Sequence, residues 1–191
     1  MIIDDLRNLK EHNHFVVIIG SGPAGISTAL ELERKKIESI IIEAGDILPN
    51  PHSQELLKGS IRGDAYNDLT ASRLRQFGGT SGIWGGNCNP MKNEDLNGWP
   101  ITKFELDNYK KHSKKILNLN YKEKFFLEKF SKNLNIYNLV WSNVRFGEKY
   151  FNHIKKSKYI HLSLKTSFIN FEGNDKTINF INCKKNNETF K

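Results

Sequence analysis

Cysteine is scarce, with Cys88 and Cys183 the only two in 191 residues. Two thiols do not make the disulfide framework of a small secreted domain. Proline is scarce as well, and the fourteen glycines follow no three-residue period, which excludes collagen-like and proline-rich classes. No long apolar run is present. The longest, Phe15 to Leu30, is broken by Ser21, Pro23, Ser27, Thr28 and three glycines. It cannot supply the roughly 20 apolar residues of a membrane span. The first residues, Met1 to Asp5, carry no basic region and no apolar core, so no signal peptide is expected. These absences point to a soluble protein of a reducing compartment, the cytoplasm, without a membrane partner. Hydrophobic residues make up 38% and charged residues 26%, enough for one folded domain over 1–191 and against wholesale disorder.

The charge is uneven. Residues 1–100 hold 10 Lys and Arg against 13 Asp and Glu, whereas residues 101–191 hold 19 against 8. A basic half can serve nucleic acid. Here the basic residues are nearly all Lys, scattered among Asn and Ile, with no RNA- or DNA-binding motif. The pairs Lys110-Lys111, Lys114-Lys115 and Lys155-Lys156 read as solvated helix faces, and no nucleic-acid partner is expected.

Several stretches declare their structure. Residues 1–14 read as a polar lead-in. The β-branched run Phe15-Val16-Val17-Ile18-Ile19 reads as a strand buried on both faces of a parallel sheet. Glycines follow at once, then helical spacing through about Lys35. Ser39 to Ile42 forms a second buried strand ending at Glu43. Residues 15–45 are thus a βαβ unit with a right-handed crossover. Residues 44–100 have little pattern and nine of the fourteen glycines, as expected of a long functional loop. Thr102-Lys103-Phe104-Glu105 is a capping-box pattern that opens a helix. Trp99, Phe104 and Tyr109 read as core. Further helices are expected at about Tyr121–Leu134 and Phe146–Lys156. From Tyr159 the period is two, with turns at Gly173-Asn174-Asp175 and Asn186-Asn187, which predicts a β-meander. The fold class is α/β: a Rossmann-like domain with a βαβ start, a long Gly-rich loop, a helical insert, a C-terminal meander and an incomplete sheet.

Gly20-Ser21-Gly22-Pro23-Ala24-Gly25 is G-x-G-x-x-G, and it sits between a strand and a helix, the context that gives the motif meaning. Gly20 makes the tight turn. Gly22 lets a pyrophosphate approach the backbone, and the N-terminus of the helix favours its charge. Pro23 suits the first helical turn. Ala29 allows close helix–strand packing. Glu43, at the end of the second strand, stands where a carboxylate reaches the ribose of an adenosine, with Ala44 beside it. Glu43 disfavours NADP, whose 2′-phosphate it would repel, and leaves FAD and NAD open.

The second Gly-rich block, within residues 72–90, is Arg73-Leu74-Arg75-Gln76-Phe77-Gly78-Gly79-Thr80-Ser81-Gly82-Ile83-Trp84-Gly85-Gly86-Asn87-Cys88. Glycine pairs bracket a Trp, so that backbone can lie against a planar ligand. Thr80 and Ser81 can hydrogen-bond phosphate oxygens. Arg73 or Arg75 can neutralise one, and Arg75 is the expected site residue. With Gly98-Trp99-Pro100-Ile101 and the Glu43-Ala44-Gly45 strand end, the chain resembles the glucose–methanol–choline (GMC) oxidoreductases over about residues 2–120. It looks most like their bacterial branch related to choline dehydrogenase. The resemblance implies an FAD enzyme that oxidises the CH–OH group of a sugar, polyol or other alcohol. It implies cofactor contacts along Gly20–Gly25, at Glu43 and Ala44, at Arg75, and along Gly78–Ser81 and Trp84–Asn87. It places Phe168 near the adenine. Certain relatives carry a flavin-linked His where this chain has Ile83, so FAD is expected to be held without a covalent bond.

The chain departs from that family in length and in its missing C-terminal His base, so it reads as an N-terminal fragment without alcohol-oxidising activity of its own. None of His12, His14, His52, His112, His153 and His161 has metal-ligand spacing. Only His52, in the irregular loop, is a candidate site residue. His161 falls on the polar side of its strand. Cys88 reads as a small buried residue beside the flavin block. A non-enzymatic nucleotide-binding fragment, or another FAD- or NAD-dependent reductase with the same first βαβ unit, is the alternative.

Overall fold

The computed structural model describes residues 1–9, 16–119, 126–132, 134–137 and 139–190. Phe15, His12 and His14 lie outside the described residues, as does the start of the helix expected at Tyr121. Two compact units emerge: Met1–Trp84 with Arg145–Lys191, and Gly85–Val144.

The first unit opens with the expected βαβ: β1 (Val16–Ile19), α1 (Pro23–Arg34) and β2 (Ser39–Ile42). β1 and β2 pair in parallel, Val16 opposite Ser39 and Ile19 opposite Ile42. α1 places Ile26 and Ala29 on the sheet, both fully buried. Ala29 is the small residue that this approach requires. The long loop carries two short helices, α2 (Pro51–Glu55) and α3 (Leu69–Ser72), capped by the side chains of Asn50 and Asp68. His52 therefore lies on a helical turn and is exposed.

In the second unit β3 (Asn87–Cys88) pairs antiparallel with β6 (Val140–Trp141). Thr102 and Glu105 form the expected capping box at α4 (Lys103–Asp107), and α5 (Lys110–Ile116) follows. The expected single helix breaks at Asn108-Tyr109, so its apolar stripe has no continuous face. Phe104 is 79% exposed and Tyr109 62% exposed, and Trp99 is exposed as well, which corrects their reading as core. A second correction falls at Phe126–Tyr137. In place of a helix the chain forms a hairpin of β4 (Phe126–Lys129) and β5 (Asn135–Tyr137). The Phe130 N–H goes to Leu134 O at 2.9 Å, closing a turn that a helical ladder would exclude.

Back in the first unit, α6 (Phe146–Lys156) runs as expected. β7 (Ile160–Ser163) pairs in parallel with β2, giving the sheet order β1-β2-β7. The outer edge of β7 takes up Ile2 in a parallel bridge, so Met1–Ile3 join the sheet, and Ile3 is buried. One burial expectation holds with this order and two change. β2 is central and buried throughout, as expected. β1 pairs on one edge only among the described residues, and Ile19 is 55% exposed, so β1 is not buried on both faces. β7 is covered on both faces, and His161 is buried rather than on a polar side.

The chain ends in the expected antiparallel meander, β8 (Thr166–Gly173), β9 (Ile178–Lys185) and β10 (Glu188–Phe190). Asn186 and Asn187 both take positive φ in its last turn, the conformation a two-residue hairpin needs. Cys183 from β9 joins Ile3, Ile40 and Ile42 in a core between the parallel sheet and the meander.

An ion pair ties the start of the long loop to the turn before β8: Lys165 Nζ lies 2.9 Å from Asp46 Oδ2. The hydrogen bond from Lys165 is the largest influence holding the Asp46 carboxyl below its ordinary value. A carboxylate whose folded pKa is depressed contributes stability above its unfolded pKa, and that stability is lost as pH falls through the folded value. Lys165→Met is therefore expected to raise the Asp46 pKa and to flatten the acid limb of stability below about pH 4. An NMR titration of the Asp46 carboxyl checks this, and an unmoved pKa would show that the pair does not form in solution.

Candidate functional site

In the first unit, four stretches of chain converge on one cleft of about 420 Å³ at the C-terminal ends of β1 and β2. The first is the turn Gly20–Gly25. Gly20 has φ +93°, a conformation an L side chain rarely adopts, so glycine is required where β1 reverses into α1. Gly22 is the N-cap of α1, with no side-chain cap, and Pro23 occupies the first helical turn. A Cβ added at Gly22 would meet nothing within 4 Å. The uncapped helix start thus has open space in front of it, the requirement for an anion approaching backbone N–H groups. Gly25 differs: a Cβ there would meet the Gly20 oxygen at 2.0 Å, so Gly25 closes the turn rather than facing the cleft.

The second stretch is the end of β2. Glu43 lines the cleft, yet its carboxylate is already engaged. Oε2 accepts from Ser21 N at 2.9 Å and from Ser21 Oγ at 2.6 Å. Oε1 accepts from Gly45 N at 2.7 Å. Ala44 lies beside it in the wall.

The third stretch is the Gly-rich block. Arg75, Gln76, Gly79 and Thr80 line the cleft. Arg75 Nη2 donates to Ser167 Oγ at 3.3 Å. Gly79 approaches the first glycine turn so closely that a Cβ on it would stand 3.2 Å from Gly22 Cα. Gly78 and Ser81 face the other way. The Gly78 N–H goes to Ser21 O at 3.1 Å. The Ser81 hydroxyl donates to Gly78 O at 2.6 Å and accepts from Phe146 N at 3.1 Å, capping the start of α6. Their places are structural, behind the cleft wall. The fourth stretch supplies Thr166 and Phe168 from β8.

The structure thus brings Gly20, Gly22, Pro23, Glu43, Ala44, Arg75, Gly79 and Thr80 to one cleft. Ser21, Ala24, Gly25, Gly78 and Ser81 stand behind or beside it. Trp84 is half-buried and is not among the residues lining it, and Ile83 is 51% exposed. Gly85, Gly86 and Asn87 fall in the second unit, where Gly86 O accepts from Ser142 N at 2.7 Å and Asn87 pairs with Trp141. Sequence reasoning missed Ile19, Ile42, Leu57, Leu74, Gln76 and Thr166, which complete the walls. The first two were legible as the last residues of two parallel strands, because ligands of open α/β sheets sit at strand C-termini. No described histidine lines the cleft, and no cluster of metal-binding side chains occurs among the described residues.

No family model matches the chain, and no curated protein matches it in sequence. Among solved structures it is similar to pyridoxine 4-oxidase from Mesorbium loti, with a TM-score of 0.61 and 12% identity over 93% of this chain and 47% of that one. It is also similar to L-amino acid deaminase from Proteus myxofaciens in complex with anthranilate. There the TM-score is 0.38 at 11% identity, over 90% of this chain and 42% of that one, too loose a likeness to carry an argument. The first likeness establishes the fold, a Rossmann-like α/β architecture shared with an oxidase. The chain spans about half the length of both proteins.

Proposed function

We propose that this chain binds FAD non-covalently and forms the cofactor-binding part of a flavin-dependent oxidoreductase of GMC type. The observation that carries the proposal is one cleft that joins an uncapped helix N-terminus, an open Gly22 and a carboxylate at the next strand end. A pyrophosphate needs the first two, and the ribose of an adenosine needs the third. In this reading the α1 N-terminus and the backbone at Gly79 and Thr80 hold the pyrophosphate. Arg75 supplies a positive charge, Glu43 accepts from the ribose, and Phe168 packs on the adenine. Trp84 continues the glycine-rich block toward the flavin ring. Bound FAD supplies a hydride acceptor at its N5.

The substrate class we propose is a small alcohol, a sugar or polyol among them, oxidised at CH–OH. The resemblance of the two glycine motifs to GMC oxidoreductases supports this, as does the fold shared with a protein named as an oxidase, pyridoxine 4-oxidase. The choline dehydrogenase branch within that family rests on the motifs alone. Glu43, buried at the adenosine end, supports FAD or NAD over NADP.

The test is direct titration of the purified chain with FAD, NAD and NADP, followed by flavin fluorescence and calorimetry. Saturable FAD binding with weaker NAD binding is expected. Binding of NAD alone would replace the flavin reading. Acid precipitation of the loaded protein is expected to leave yellow FAD in the supernatant, because Ile83 offers no nucleophile to the ring. Colour kept in the pellet would refute non-covalent binding and turn attention to Cys88.

A further inference from the structure

Ser21 is completely buried, and its hydroxyl serves neither the helix cap nor the cleft surface. It lies at the junction of the three loops that build the site. Its Oγ donates to Glu43 Oε2 at 2.6 Å, at the end of β2. Its backbone N–H donates to the same oxygen at 2.9 Å. The Gly78 N–H, from the second glycine block, is shared between Ser21 O at 3.1 Å and Ser21 Oγ at 3.3 Å. A hydroxyl has one proton to give and two lone pairs to receive. Ser21 gives that proton to Glu43 and receives from Gly78, so one side chain couples all three loops.

The consequence lies in the acceptor sites of the carboxylate. Each oxygen of an ionised carboxylate accepts about two hydrogen bonds. Oε2 has both its sites filled by Ser21. Oε1 has one filled, by Gly45 N. Only Oε1 retains an acceptor site, and Glu43 lines the cleft. Without the Ser21 hydroxyl, Oε2 would hold a single partner, and the carboxylate could turn about its last torsion. Such terminal torsions are broad and are held by neighbours rather than by their own rotamer wells.

We propose that Ser21 is a positioning residue: it locks Glu43 so that one carboxylate oxygen is presented to the ribose hydroxyls of an adenine dinucleotide. The inference rests on the FAD reading above. It assigns Ser21 no contact with the ligand. Its effect appears as ribose discrimination, the ratio of affinities for FAD and for FAD lacking the adenosine 2′-hydroxyl. A charge-assisted hydrogen bond sets that ratio at roughly 10-fold or more in the wild-type chain.

The experiment titrates both ligands into the full chain and into its Ser21→Ala and Ser21→Thr variants, with circular dichroism as the check on folding. Ser21→Ala is expected to bring the ratio to within about threefold of unity, because the lost hydroxyl frees the carboxylate. Ser21→Thr keeps the hydroxyl and is expected to restore discrimination. Wild-type discrimination in Ser21→Ala would overturn the inference. Equal weakening of both ligands would overturn it too, since that marks a packing role. A Ser21→Ala chain that does not fold would assign the hydroxyl to the fold and likewise overturn it. If the wild-type chain binds FAD without discriminating, the inference fails and the flavin reading stands. If the wild-type chain binds no FAD, both fall.

Discussion

Gly78→Ala is expected to lower the melting temperature of the chain sharply, while Gly22→Ala leaves it unchanged and weakens cofactor binding instead. The same methyl group meets two different surroundings. At Gly78, φ is +87° and a Cβ would stand 2.2 Å from Gly147 N and 2.6 Å from Gly147 Cα, all rigid backbone at the start of α6. A strained left-handed residue costs about 1–3 kcal/mol, and overpacking a closed contact about 1–3 kcal/mol more. Against a total stability of about 5–15 kcal/mol that is a large fraction. For a domain of this size it corresponds to a drop of about 5–20 °C. At Gly22 the added methyl points into open cleft, with ordinary φ of −67°. It meets nothing until a ligand arrives, and then it stands where the pyrophosphate must approach. Thermal unfolding followed by circular dichroism, with FAD titration beside it, separates the two effects. A Gly78→Ala protein that melts within about 2 °C of wild type would show that α6 yields easily, contrary to the close packing of protein interiors.

Glu43→Ala is expected to act twice. Cofactor affinity falls roughly 10- to 150-fold, the value of a hydrogen bond to a charged group. The ligand-free protein is also less stable, because Ser21 N, Ser21 Oγ and Gly45 N lose their shared acceptor in a buried position. Each orphaned donor costs about 1–3 kcal/mol, reduced where water enters from the cleft. Glu43→Gln should fall between. If its amide oxygen takes the two Ser21 donors, its NH₂ group confronts the Gly45 N–H, donor against donor. Melting temperatures without ligand and dissociation constants with FAD, measured on all three proteins, test both parts. Unchanged affinity in Glu43→Ala would remove the ribose contact from the proposal and leave the carboxylate as a loop clamp.

What could be read from the sequence divides along physical lines. Local signals carried well. The G-x-G-x-x-G turn, the capping box at Thr102 and the Asn186-Asn187 hairpin each depend on a few adjacent residues, and each stands where expected. Helix Phe146–Lys156 carried too, because its apolar stripe agrees with its length. Features set by distant neighbours did not. His161 alternates with apolar residues as if on a polar face, but every residue of β7 is buried, with β2 along one edge and α1 and α6 packed against the strand. Phe104 looked like core because burial was inferred from spacing, and the break at Asn108 removed the face that spacing implied. The places of Gly20, Gly22, Gly79 and Glu43 at the cleft were legible, because a tight turn, an open approach and a strand end are set by residue type and position along the chain. The inward bonding of Ser21 and Ser81 was not. A serine in a glycine-rich turn reads as a ligand for an anion until the structure shows which way it turns.

The sheet order also sets a timetable for synthesis. β1, α1 and β2 leave the ribosome early, but β7, the second neighbour of β2, lies beyond the whole loop and the second unit. At ordinary elongation rates of about 5–20 residues per second, β2 waits on the order of ten seconds for that partner. During the wait the run Ser39-Ile40-Ile41-Ile42 presents one bare backbone edge and two apolar faces, the profile of a strand that pairs with the wrong chain. Yield in a cell is therefore expected to rise with chaperone supply and to fall where translation through residues 43–159 is slowed.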